Sequence, residues 1–125
     1  MLATALLKQA GIDVKAQVLC YSFISNIVDV YNGLSQEQKE TLAPALFILA
    51  DGDPISDGSL EYEAVLKENG VLTEVKKYEG SKHGFIEENN PEYANLRIVT
   101  SKSPEQEQLA REAEDYIFHW LTNVL

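Results

Sequence analysis

The apolar run Ala45-Leu46-Phe47-Ile48-Leu49 ends abruptly in Ala50-Asp51-Gly52-Asp53-Pro54, and this junction constrains the fold more than any other feature. An uninterrupted apolar stretch followed by turn chemistry reads as a strand that empties into a loop. A second junction has the same form: Val71 to Tyr78 leads through Glu79-Gly80 into His83-Gly84-Phe85. Each polar cluster therefore sits just past a predicted strand. In parallel α/β sheets, ligands and reacting groups collect outside the carboxyl ends of the strands, where loops vary over a rigid support. If the two strands are parallel neighbours, Asp53 and His83 emerge at one rim, where a carboxylate can hold and orient an imidazole. That pair is two-thirds of a Ser-His-Asp relay.

The rest of the chain supplies what such a sheet needs. Leu2, Ala3, Leu6, Leu7 and Ala10 fall at helical spacing, and Gly11 marks a stop, so residues 2–10 are expected to be helical. Residues 16–23 form a nearly continuous apolar run, of the kind found in strands covered on both faces. A connection over 24–41 holds a short helix with a Ser35/Gln38 capping box. Pro44 precedes the Ala45–Ala50 strand. Asp57 then reads as the cap, and Gly70 as the end, of a helix with Tyr62, Val65, Leu66 and Asn69 on one face. Charged Glu74, Lys76 and Lys77 place the 71–78 strand near the sheet edge. Glu87 to Lys102 reads as a long polar loop with a turn at Asn89-Asn90-Pro91. Ser103, Pro104 and a capping-box Gln106 open a strongly amphipathic final helix. The expected fold is α/β: a three-stranded parallel sheet with flanking helices and right-handed crossovers.

In 125 residues there is room for one domain and one core. Ten Lys and Arg against twenty Asp and Glu give a formal charge of −10, which repels nucleic acid and anionic membrane. The single cysteine, Cys20, rules out an internal disulfide and fits a reducing compartment. No segment has the length to span a bilayer, and Lys8 interrupts a short N-terminal apolar run with no basic region before it. A cytoplasmic protein is expected.

The order of strand, Asp53-Pro54-x-x-Asp57, helix, Gly70, strand, Tyr78-Glu79-Gly80, His83-Gly84-Phe85 and final helix resembles the C-terminal portion of an α/β-hydrolase fold. It is most similar to the hormone-sensitive-lipase-like carboxylesterases and acetyl esterases. The resemblance implies that Asp53 and His83 are the triad acid and base, that no cofactor or metal is needed, and that the substrate is a small ester. It also implies a nucleophile in a Gly-x-Ser-x-Gly elbow, which this sequence lacks: Ser35 and Ser56 each have a glycine on one side only. Residues 1–7 resemble the helix that follows the elbow. The chain is therefore expected to be a partial hydrolase, roughly half the usual length of such a domain, lacking the N-terminal half and inactive alone. Its 16–23 strand would lie at an open edge, so the chain is expected either to be a fragment or to self-associate there. The substrate-binding residues are not identified.

Other readings compete. Asp51-Gly52-Asp53-Pro54 also fits a plain turn with an Asx cap. An apolar strand ending in Asp51-x-Asp53 resembles haloacid-dehalogenase-like phosphatases, with Asp51 attacking and Asp53 as acid and base. That leaves His83-Gly84-Phe85 unexplained. The same aspartates and Asp57 look slightly like a calcium loop, but Pro54-Ile55 occupies a ligand's place and no Glu closes it. Cys20, flanked by no glycine, reads as a buried inert thiol. His119, between Phe118 and Trp120, reads as structural or solvent-facing, and Phe85 as either packing on the sheet or touching substrate.

Overall fold

The computed structural model describes residues 1–89 and 103–125. Helix α1 (Leu2–Gln9), strand β1 (Gln17–Cys20), helices α2 (Ile27–Asn32) and α3 (Gln36–Lys39) and strand β2 (Ala45–Ala50) come first. Helix α4 (Ser56–Glu68), strand β3 (Thr73–Tyr78), a 3₁₀ turn (Phe85–Asn89) and helix α5 (Pro104–Val124) follow. The strands form one parallel sheet in the order β1-β2-β3, with Cys20 opposite Ile48 and Ala50 opposite Tyr78. This is the expected α/β architecture.

Strand β2 lies at the centre, and its six residues are all buried. Because side chains alternate along a strand, it feeds two cores. Leu46, Ile48 and Ala50 pack with Tyr78, Phe85, Ala110, Ala113 and Trp120 on the α5 face. Ala45, Phe47 and Leu49 pack with Ile27, Tyr62 and Leu66 under α2 and α4, where the Phe47 and Tyr62 rings meet edge-on at 5.5 Å. A strand covered on both sides has no polar position, which is why its sequence is uniformly apolar. Burying a side chain such as Phe47 or Ile48 contributes roughly 1.5–3 kcal/mol, so β2 is a firm base for the loop that leaves its end.

Several local expectations are corrected. The 16–23 run is a strand only from Gln17 to Cys20 and is half-buried, not covered on both faces. Tyr21 adopts a left-handed backbone (φ 34°) that turns the chain off the sheet, and Phe23 projects into solvent at 76% exposure. Helix α2 has no cap signal, because Asn26 starts it in a left-handed conformation without a side-chain bond. The Ser35/Gln38 capping box forms as expected. Asp57 caps nothing: the N-cap of α4 is Ile55, and Asp57 sits in the first turn, where its charge suits the helix dipole. The apolar face of α1 is exposed at Leu2, Leu6 and Leu7, while Thr4 and Ala5 turn inward and Thr4 donates to Gln17 at 3.5 Å. Ser103 caps α5 by accepting the Gln106 N–H at 3.2 Å, but the Gln106 side chain does not close the box and bonds elsewhere. The start of the predicted 87–102 loop belongs to the 3₁₀ turn, and 90–102 lies outside the described residues. Among the described residues, no helix is long and apolar enough to cross a membrane.

Candidate active site

Because β2 and β3 are parallel neighbours in register, the loops after Ala50 and Tyr78 leave the sheet at the same end. The first loop turns through Asp51 and Gly52 and delivers Asp53, whose side chain is 4% exposed. One carboxylate oxygen, Oδ1, accepts the Ile55 N–H at 3.1 Å and shapes the turn. The other, Oδ2, lies 2.6 Å from Nδ1 of His83. The turn reading and the paired reading of this motif therefore both hold, one for each oxygen. A carboxylate has no proton to give at neutral pH, so Nδ1 carries the hydrogen and donates it, leaving Nε2 with a lone pair. Among the described residues Nε2 makes no hydrogen bond, and the side chain is 38% exposed.

His83 is presented by a tight turn that only the next residue makes possible. Gly84 has φ +79°, where a side chain would strain the backbone. Phe85 then points into the core, fully buried and 5.5 Å from the Tyr78 ring. It packs on the sheet and anchors the turn. The ring of Tyr21 stands 5.0 Å from the imidazole, tilted by 58°, and 5.9 Å from Phe85. Its hydroxyl donates to Glu87, and burial, followed by that hydrogen bond and the Glu87 charge, pushes the phenol well above the ordinary tyrosine range. Tyr21 thus forms a neutral wall beside His83. Its left-handed backbone is a cost of the kind that clusters at functional sites. An apolar run gives no sign of such a turn, which is why pattern reading misses Tyr21.

The other candidates lie in different settings. Cys20, at the end of β1, has its thiol pushed up to about 11 by burial and then by the Glu87 charge, so it is a poor nucleophile. The Ser22 hydroxyl donates to the Cys20 carbonyl at 3.3 Å. Asp51 is occupied within the fold: Oδ2 accepts the Gly80 N–H at 3.0 Å and Oδ1 pairs with Lys77 at 3.0 Å. The Gly80 N–H and then Lys77 hold its carboxyl below the usual range. An attacking aspartate would need an oxygen free of such partners. Among the described residues, no three His, Cys, Asp or Glu side chains converge as metal ligands would. His119 is exposed on α5 and its Nδ1–H donates to the Asp115 carbonyl at 2.7 Å.

A parallel sheet with a carboxylate and an imidazole paired beyond its carboxyl rim defines the class as an α/β protein with a candidate acid–base pair. A family model described as alpha/beta hydrolase fold matches residues 27–87, a span that contains both Asp53 and His83. The match covers 61 of the 125 residues, and over that part the chain is similar to the α/β-hydrolase family. No curated protein matches the chain.

Proposed function

We propose that this chain supplies the acid and base of a serine carboxylic-ester hydrolase, of the hormone-sensitive-lipase-like carboxylesterase and acetyl esterase kind, acting on small esters in the cytoplasm. The observation that carries the reading is the 2.6 Å contact of Asp53 Oδ2 with His83 Nδ1. In that role Nε2 takes the proton of a serine hydroxyl as the oxygen attacks the ester carbonyl, and Asp53 holds the tautomer and stabilises the imidazolium. Nε2 then returns the proton to the leaving alcohol. No Gly-x-Ser-x-Gly stands in these 125 residues, so the attacking serine and the oxyanion amides come from outside them. The chain alone is accordingly inactive toward p-nitrophenyl acetate, with no rate above that of an Asp53→Asn, His83→Ala control. Turnover that depends on both residues would contradict this and point to Ser22 or Cys20.

A positive test grafts residues 1–125 in place of the matching part of an esterase that carries its own elbow. The folded chimera should hydrolyse p-nitrophenyl acetate and lose about 10⁴-fold of that rate on Asp53→Asn. A folded chimera labelled by a serine-directed phosphonate but indifferent to Asp53→Asn and His83→Ala would overturn the reading. Magnesium-dependent hydrolysis of p-nitrophenyl phosphate would favour the phosphatase instead. Because β1 pairs only with β2 among the described strands, its outer edge also supports self-association through 16–23, which light scattering would reveal as a mass above that of a monomer.

A further inference from the structure

We propose that Gln106 and Asp51 are positioning residues, which set His83 against Asp53 by gripping the main chain just before it; the inference rests on the relay reading above. Between Tyr78 at the end of β3 and His83 run Glu79, Gly80, Ser81 and Lys82, with no strand or helix to satisfy their peptide groups. Such groups need partners from elsewhere. Gln106, only 4% exposed, uses both ends of its amide on this segment. Its Oε1 accepts the Lys82 N–H at 2.8 Å, and its Nε2 donates to the Gly80 carbonyl at 2.9 Å. From the other side, Asp51 Oδ2 accepts the Gly80 N–H at 3.0 Å. The Asp51 N–H donates to the buried Ser81 hydroxyl at 3.1 Å, which donates in turn to the Tyr78 carbonyl at 2.6 Å. The Lys82 carbonyl accepts the Phe85 N–H at 3.0 Å, carrying the register across His83.

The arrangement has a direction. Asp51 lies two residues before Asp53 in the same loop, so tying Gly80 and Ser81 to Asp51 fixes the spacing of the two loops that must meet. Gln106 closes the opposite side from α5. Only a primary amide offers a donor and an acceptor at those two points; a carboxylate lacks the donor and an alanine lacks both. Gln106 also leaves its own helix end, where a capping box would have used it, and spends both bonds on the segment before His83.

The test is NMR on the 15N-labelled 125-residue chain, following exchange of the His83 Nδ1–H with solvent. That signal must exist in the wild type and vanish in Asp53→Asn; its absence from the wild type would fail the relay reading itself. Given the signal, loss of two hydrogen bonds in Gln106→Ala should speed exchange about 30-fold, and loss of one in Gln106→Glu at least about fivefold. Asp51→Ala should also speed it. Arg111→Gly weakens the same helix, by lost propensity and the lost Glu107 pair, without touching Gln106 or the segment, and should lower stability while leaving the exchange rate unchanged. If Gln106→Ala does not fold, Gln106→Glu and Asp51→Ala decide. Wild-type exchange in folded Gln106 variants, or an equal effect from Arg111→Gly, would overturn the proposal and leave the relay reading standing.

Discussion

Gly58 lies in the first turn of α4, just after the Asp53 loop, and it is the point where that helix touches the segment leaving β1. A methyl group built there overlaps the Ile24 carbonyl oxygen and sits 3.0 Å from its carbon and 3.4 Å from its Cα. These are main-chain atoms, so no side chain can swing aside. Replacing Gly58 by Ala raises helix propensity by about 1 kcal/mol, but forcing backbone apart in a packed region costs about 3 kcal/mol. The shift also endangers the bond from Ser59 Oγ to the Ser22 carbonyl, 3.1 Å long, which is worth about 1 kcal/mol. The expected net loss is about 3 kcal/mol, a large part of the ~5–15 kcal/mol total of a domain. At this chain length that lowers the melting temperature by roughly 10 °C. Calorimetry of Gly58→Ala beside Gly33→Ala makes the comparison, because a methyl at Gly33 meets only ordinary contacts at 3.5 Å. The displaced segment carries Tyr21, so the variant should also disturb the wall beside His83. A Gly58→Ala protein as stable as the wild type would refute the packing argument.

Two further outcomes follow from burial of ionisable groups. Cys20, with its thiol raised from 9.0 to about 11, should react with a disulfide reagent at neutral pH about 100-fold more slowly in the native than in the unfolded chain; equal rates would contradict its burial. Tyr62 and Tyr78, both raised by burial from 10.0 to about 12, keep their protons in the folded chain after the unfolded chain has released them. The native state then binds more protons, so stability falls as pH rises from the unfolded values toward about 12. Urea midpoints should drop between about pH 8 and about pH 11, and an unchanged midpoint would contradict this.

The parts legible in sequence are those where one physical demand fixes the residue type. Strand β2 is readable because burial on both faces permits no polar residue, and Asp53 and His83 because each follows a strand end. Ser35 and Gln38 are readable because the capping box closes within four residues. Gln106 shows where local pattern fails: Ser103-x-x-Gln106 satisfies the same spacing, yet the unpartnered peptides at Gly80 and Lys82 compete for the amide and win. Asp57 loses its cap role because the helix already begins at Ser56, which places Asp57 inside the first turn and not at the half-in position a cap occupies. Tyr21 is hidden inside an apolar run, because a single left-handed residue leaves no trace in hydropathy. The apolar stripe of α1 predicts an inward face, but the helix buries its small residues Thr4 and Ala5 instead.

The most direct test is the protonation pattern of the His83 ring, read by long-range 1H–15N correlation in the wild type and in Asp53→Asn. A proton on Nδ1 and a bare Nε2 are expected in the neutral wild type. In the Asp53→Asn protein the new side-chain amide can donate to Nδ1, and the ring proton should move to Nε2. A wild-type ring protonated at Nε2, unchanged by that substitution, would show that the carboxylate does not hold the base.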